Sequence, residues 1–421
     1  MTSKIEARKI IEKLREGVPP RHGVERYAVG NEKLLAGIGA MLEEDIGEMG
    51  IIRFVNGSWG AGKTHFFRQV CSLAYEKGCL VSNVELGKDS AMLNHFESVF
   101  AAIVKAITSK GAFEAEDDAG VSSFGRVLKE AAFVLGGNST AETLTPDALA
   151  AAREKLMRCA GIDIDFKKMT FKYWETLLTD SGDGADMEQS RGEILQWFTG
   201  EAGNTAAYRK KFDICKHVKR ENAKELLRSL AAFIKLACYK GLVILFDEAE
   251  KSYSTFTRKA DLRSAHNNLL ALINTVDELE GLFLIYATTP DFFNDPKHGI
   301  DVYGALAGRI RKPQDVPPRA LHVIWNLDAI QTELADYQDA AVKLRQVYLD
   351  AYPDSGGAIP AAPAIGKYVR ELKDNYPEHA QISFWRVVVQ GVIRLFDDCA
   401  DGVAPAAPVK VLDDIMSRIR E

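Results

Sequence analysis

Residues 56–67 read NGSWGAGKTHFF, and 57–64 fit G-x-x-x-x-G-K-[ST]. A phosphate carries dense negative charge that only fixed donors can meet. Glycines at 57, 60 and 62 let the backbone turn tightly and aim N–H groups inward, while the positive end of a following helix adds to the field. In such a loop Lys63 reaches the β- and γ-phosphates of a nucleotide, and the Thr64 hydroxyl ligates Mg²⁺. The binding stretch is therefore Gly57, Ser58, Trp59, Gly60, Ala61, Gly62, Lys63, Thr64 and His65. His65 stands on the first helical turn, where packing is its plainer role. The rival reading of the stretch is a glycine turn with no ligand.

Hydrolysis needs an acidic partner at the end of a second strand. GLVILFDEAE (241–250) supplies one, an apolar run closed by Asp247 and Glu248. Asp247 is the candidate Mg²⁺ residue and Glu248 the candidate base that polarises the attacking water. Glu248 matters because a protein that only holds a nucleotide needs no base there. Glu250 reads as a solvated helix-start residue. LFLIYATTP (282–290) ends a further strand in Thr288 and Thr289. Thr288, with Thr289 as the alternative, is the candidate that helps orient the water, against the reading of simple strand-end hydroxyls.

Several cations complete the candidate set. YGALAGRIRK (303–312) places Arg309 and Arg311 at a helix end. There they serve either a neighbouring subunit's γ-phosphate or the dipole of their own helix. ISFWRVVVQGVIRLFD (382–397) sets Arg386 and Arg394 two helical turns apart, and Arg386 is a candidate lid arginine to the nucleotide, or a surface charge. Tyr27 and Val29 are read either as an adenine-side strip or as core. RKKFDICKHVKR (209–220) is dense in Lys and Arg. It suits DNA phosphates, with a solvated helix face as the alternative.

These residues need a scaffold. IIRFVN (51–56) is an apolar run that feeds the glycine loop, and the helix after it spans 63 to about 77, closed by Gly78. Further strands are expected at 80–86, 241–247, 282–288 and 320–327, with helices between them and a long one across 262–279. That alternation predicts an α/β fold: a parallel-sheet P-loop αβα nucleotide domain. A helical N-terminal arm, with Ile5, Ile10, Ile11 and Leu14 on its apolar face, occupies 1–24 and ends near Gly17. The nucleotide domain covers 25–327, with a large helical insertion over about 90–239. A small helical lid-like domain follows at 328–421.

Composition sets the outer bounds. The chain has 421 residues, 47% hydrophobic and 27% charged, which suits globular domains rather than disorder. Its net charge is −6, so the surface as a whole does not advertise nucleic-acid binding. Six scattered cysteines without C-x-x-C spacing read as reduced thiols of a cytoplasmic protein, and no membrane span or secretory leader is expected.

The assembly of a phosphate loop, the acidic strand end and later Thr and Arg residues resembles the AAA+ group of additional-strand P-loop ATPases. The resemblance covers about residues 25–400, although 183 residues between Lys63 and Asp247 depart from a minimal module. ARKIIEKLREGVPPRHGVERYAVGNE, GSWGAGKTHFF, WFTGE (197–201) and GLVILFDEAEKSY together resemble the ATP-binding proteins of BREX-type bacterial phage-defence systems. That resemblance implies ATP and Mg²⁺ as cofactors, other defence-system proteins as partners, and action on foreign double-stranded DNA. An arginine acting in trans would imply a homo-oligomer. Two alternatives stand beside an ATPase that remodels DNA or a partner: a nucleotide-gated switch with little turnover, and an initiator-like DNA-loading ATPase.

Overall fold

The computed structural model describes residues 4–87, 91–114, 123–137, 143–178, 184–203, 205–249, 256, 258–377 and 383–417. The chain divides into two units. The first comprises Met1–Gly37, Asn56–Ser72 and Gln314–Glu421, and the second Ile38–Val55 and Leu73–Pro313.

The second unit is built on a sheet. Its strands are β1 (Ile51–Asn56), β2 (Leu80–Glu85), β3 (Ile107–Thr108), β4 (Leu242–Asp247) and β5 (Leu282–Thr288), in the order β3-β2-β4-β5-β1. β2 pairs parallel with β4, Leu80 opposite Leu242 and Glu85 opposite Asp247, and β4 pairs parallel with β5. Short β3 runs antiparallel to β2. Every residue of β4 and β5 is buried. A continuous apolar run of this kind marks a central strand covered on both faces, whereas a half-exposed strand would alternate. Phe54, Phe246 and Phe292 pack around Tyr286 with ring centroids 5.7–6.2 Å away.

Eight helices lie between Phe96 and Leu236 among the described residues. They bury their own aromatic centre, in which Phe198 meets Phe124, Phe166 and Trp197 at 5.0–5.1 Å. Trp174 Nε1 donates to the Leu128 carbonyl at 2.7 Å and Trp197 Nε1 to the Lys216 carbonyl at 2.9 Å, so the two large rings are buried with their polar edges satisfied.

β1 carries the chain into the first unit at Asn56. That unit carries β6 (Ile324–Asn326), and Asn56 Nδ2 donates to Asn326 Oδ1 at 3.0 Å. β6 is shorter than the expected 320–327. The Trp325 indole turns back to donate to the Arg319 and Ala320 carbonyls, which bends the preceding residues out of an extended course. Its buried ring also packs edge-on against Phe66 at 5.9 Å.

The rest of this unit is helical. α1 (Lys4–Arg15) packs Ala7, Ile10, Ile11 and Leu14 into a core shared with the helices Leu334–Ala351, Ala362–Asp374, Phe384–Ala400 and Pro408–Ser417. Ile5, expected on the apolar face, is 66% exposed, because the observed stripe follows 7, 10, 11 and 14 and leaves position 5 outside it. Gly17 takes φ +75° after the helix, in the left-handed region that terminates helices. Arg15 then ties α1 to the C-terminal helices through two bonds to Asp397, at 2.9 and 2.6 Å.

Candidate functional site

In chain order α1 is followed by the helix α2 (Glu32–Ala40), and the phosphate loop, in the first unit, joins β1 to α3 (Lys63–Glu76). Gly60 and Gly62 take φ +81° and +87°, values at which an L side chain is strained. Helical bonding begins at once, with Phe66 N–H donating to the Gly62 carbonyl at 2.8 Å. Lys63 is buried and folds over the loop, its Nζ donating to the Gly57 carbonyl at 2.8 Å and the Ser58 carbonyl at 3.3 Å. The exposed Trp59 ring lies 5.7 Å from the same ammonium. Ala61 N–H donates to the Ser58 carbonyl at 3.1 Å, and Thr64 follows Lys63 in the first turn of α3.

This loop has the chemistry of an anion cradle: left-handed glycines, a helix start and a single cation at one place. The glycines are a sterically required part of it. A Cβ on Gly57 would stand 3.0 Å from that of Ala61, and one on Gly60 would stand 3.3 Å from Ser383 Cβ. Ser383 is the N-cap of the helix Phe384–Ala400, so the loop apex touches the helix that carries Arg386. Arg386 itself donates from Nη2 to the Gly17 carbonyl at 3.1 Å. Arg394 is engaged elsewhere, bonding Asp414 at 2.8 Å.

His65 sits beside Tyr27, ring centroids 5.4 Å apart, and burial pushes its imidazole down to about 4. Tyr27 belongs to the helical core, which accounts for its ring through packing.

The acidic residues lie in the second unit. Asp247 ends β4 with its side chain buried, and Asp247 Oδ1 accepts the Glu248 N–H at 2.9 Å. Its backbone carbonyl accepts the Leu86 N–H at 2.9 Å, which anchors the strand end. Glu248 takes φ +54°, a left-handed conformation that costs a non-glycine residue about 1 kcal/mol. The chain turns there directly out of the sheet. Thr288 ends β5 fully buried, and its Oγ1 meets no hydrogen-bond partner among the described residues. Glu250 lies outside the described residues. Asp247 carboxylate and Thr64 hydroxyl are hard oxygen donors, the type that Mg²⁺ accepts.

Arg309 closes the helix Gly304–Ile310 and pairs with Asp277 at 2.7 Å. Arg311 follows at φ +66° and is exposed. In the basic stretch, Lys211 pairs with Glu193, and Lys216 with Asp163 and Glu225.

One site residue escaped the sequence reading. Asp328 Oδ2 accepts from both the Ser58 N–H and the Ser58 Oγ, each at 2.8 Å. The two positions lie 270 residues apart, and no local pattern announces the contact.

Parallel strands, a glycine loop leading from β1 into α3, and a lysine at the helix start define the phosphate-loop class of nucleotide-binding α/β proteins. Within that class, the chain belongs to the family of the BREX system ATP-binding protein BrxC/D, whose family model matches residues 2–405. The chain is thus one of the ATP-binding proteins of a phage-defence system. No curated protein and no solved structure matches it. No helix among the described residues is long and apolar enough to cross a membrane.

Proposed function

We propose that the chain is a Mg²⁺-dependent ATPase whose cycle drives remodelling of DNA or of a partner protein within the defence system. The observation that carries this reading is Glu248, a carboxylate immediately after the buried Asp247 and held in a left-handed turn at the strand end. Lys63 leaves the Gly57 and Ser58 carbonyls to hold the β- and γ-phosphates, and the backbone N–H groups of 60–64 surround them. Thr64 and Asp247 would hold Mg²⁺, which would supply neutralisation of phosphate charge. Glu248 accepts a proton from water as the water oxygen bonds to the γ-phosphorus. The bond from that phosphorus to the bridging oxygen breaks, releasing ADP and inorganic phosphate. Thr288 offers its hydroxyl to the water, and Arg386 reaches the nucleotide once it releases the Gly17 carbonyl. Arg309 or Arg311 acts on a neighbouring subunit, which makes the active form a homo-oligomer.

The test is phosphate release from ATP with Mg²⁺, with and without double-stranded DNA, over a range of protein concentration. Turnover that Lys63→Ala abolishes supports the proposal. ATP binding without turnover under every condition would leave a nucleotide-gated switch in its place.

A further inference from the structure

Three consecutive residues that begin at the end of the last strand, 326–328, face three consecutive residues that lead from β1 into the phosphate loop, 56–58. Asn326 accepts from Asn56, and Leu327 Cβ lies 3.5 Å from the place a Cβ on Gly57 would take. Asp328 then accepts twice from Ser58. The Gly57 carbonyl and the Ser58 N–H belong to one planar trans peptide unit, so they point in opposite directions. Asp328 holds the N–H of that unit at 2.8 Å and the Lys63 ammonium holds its carbonyl at 2.8 Å. A single peptide plane is thus clamped from both sides by opposite charges. The loop beyond it contains two left-handed glycines and has little stiffness of its own.

We propose that Asp328 is a positioning residue for phosphate binding, acting through the Gly57-Ser58 peptide on the resting place of Lys63; this rests on the ATP-binding reading above. Fixing that plane sets the direction from which the following N–H groups and Lys63 approach a triphosphate. Without the carboxylate the peptide is free to rotate, and binding must order it again.

Titration with a fluorescent ATP analogue, alongside melting of the free protein, tests this. Asp328→Ala is expected to weaken binding about 5- to 30-fold, the range for losing charge-assisted hydrogen bonds at a partly exposed place. KM for ATP should rise with kcat little changed, and the melting temperature of the free protein should hold, because Asp328 is exposed. Asp328→Asn keeps an acceptor for the Ser58 N–H and should stay within about threefold of wild type. Asp328→Ser, polar but too short to reach Ser58, gives the same loss should the alanine variant melt below the assay temperature. The proposal is overturned if Lys63→Ala loses binding while Asp328→Ala binds like wild type. It is equally overturned if the asparagine variant is as weak as the alanine one. Absence of any binding of the analogue by wild type would instead remove the nucleotide reading itself.

Discussion

Lys63 Nζ lies 2.8 Å from the Gly57 carbonyl oxygen, so the residue that should meet phosphate is docked on its own loop. Binding requires the ammonium to exchange backbone carbonyls for phosphate oxygens and to move relative to Trp59. ATP should therefore change the emission of Trp59, a change absent from Trp59→Phe. Lys63→Ala should weaken ATP binding about 10- to 100-fold by calorimetry, the scale of a charge-assisted contact. An unchanged affinity would mean that the lysine serves only the loop.

Gly60 and Gly62 separate two costs. Both have left-handed φ, but a Cβ on Gly60 also meets Ser383, whereas one on Gly62 meets nothing within 4 Å. Gly62→Ala should cost about 1 kcal/mol of stability from backbone strain alone, and Gly60→Ala more. Urea unfolding of the two variants checks the order. Equal losses would show that the Ser383 contact yields freely.

Arg309 pairs with Asp277 while about half exposed, so the pair contributes under about 1 kcal/mol to stability. Arg309→Ala should leave the melting temperature nearly unchanged. If Arg309 acts on a neighbour's γ-phosphate, the substitution lowers kcat by about 10³ with ATP affinity retained. Turnover per subunit should then rise with protein concentration. A flat rate per subunit across the range would remove the trans role from both Arg309 and Arg311.

Burial pushes both His65 and His266 down to about 4. Their unfolded value is about 6.5, so between these limits the unfolded chain binds more protons than the folded one. Their contribution is fully present above pH 6.5 and is lost as pH falls towards 4. Each adds a slope approaching about 1 kcal/mol per pH unit over that window. Urea midpoints should fall between pH 6.5 and 4.5, before the carboxylates Glu193 and Glu201, whose lowered pKa values act at still lower pH. His65→Gln should flatten part of that slope, and a level wild-type profile would contradict the assignment.

The strands β1, β2, β4 and β5 were legible because apolar runs bounded by glycine or acid have few other solutions. The loop itself was legible because its glycine spacing is a steric requirement. β3 was not, since two residues at a sheet edge carry no periodicity. The short span of β6 is not legible, because hydropathy does not reveal that the Trp325 indole bonds backward to Arg319. Asp328, the Asp277 partner of Arg309 and the Gly17 partner of Arg386 share one cause. Each is a contact between residues distant in sequence, fixed by tertiary packing rather than by local pattern.

The central claim, that Glu248 turns a nucleotide-binding loop into a hydrolytic site, is tested most directly by Glu248→Gln. The substitution keeps size and hydrogen bonding and removes only the base. The measurement is steady-state phosphate release together with ATP affinity, both with Mg²⁺. The account predicts affinity within about threefold of wild type and turnover reduced by about 10² or more. Turnover equal to wild type in Glu248→Gln would contradict it.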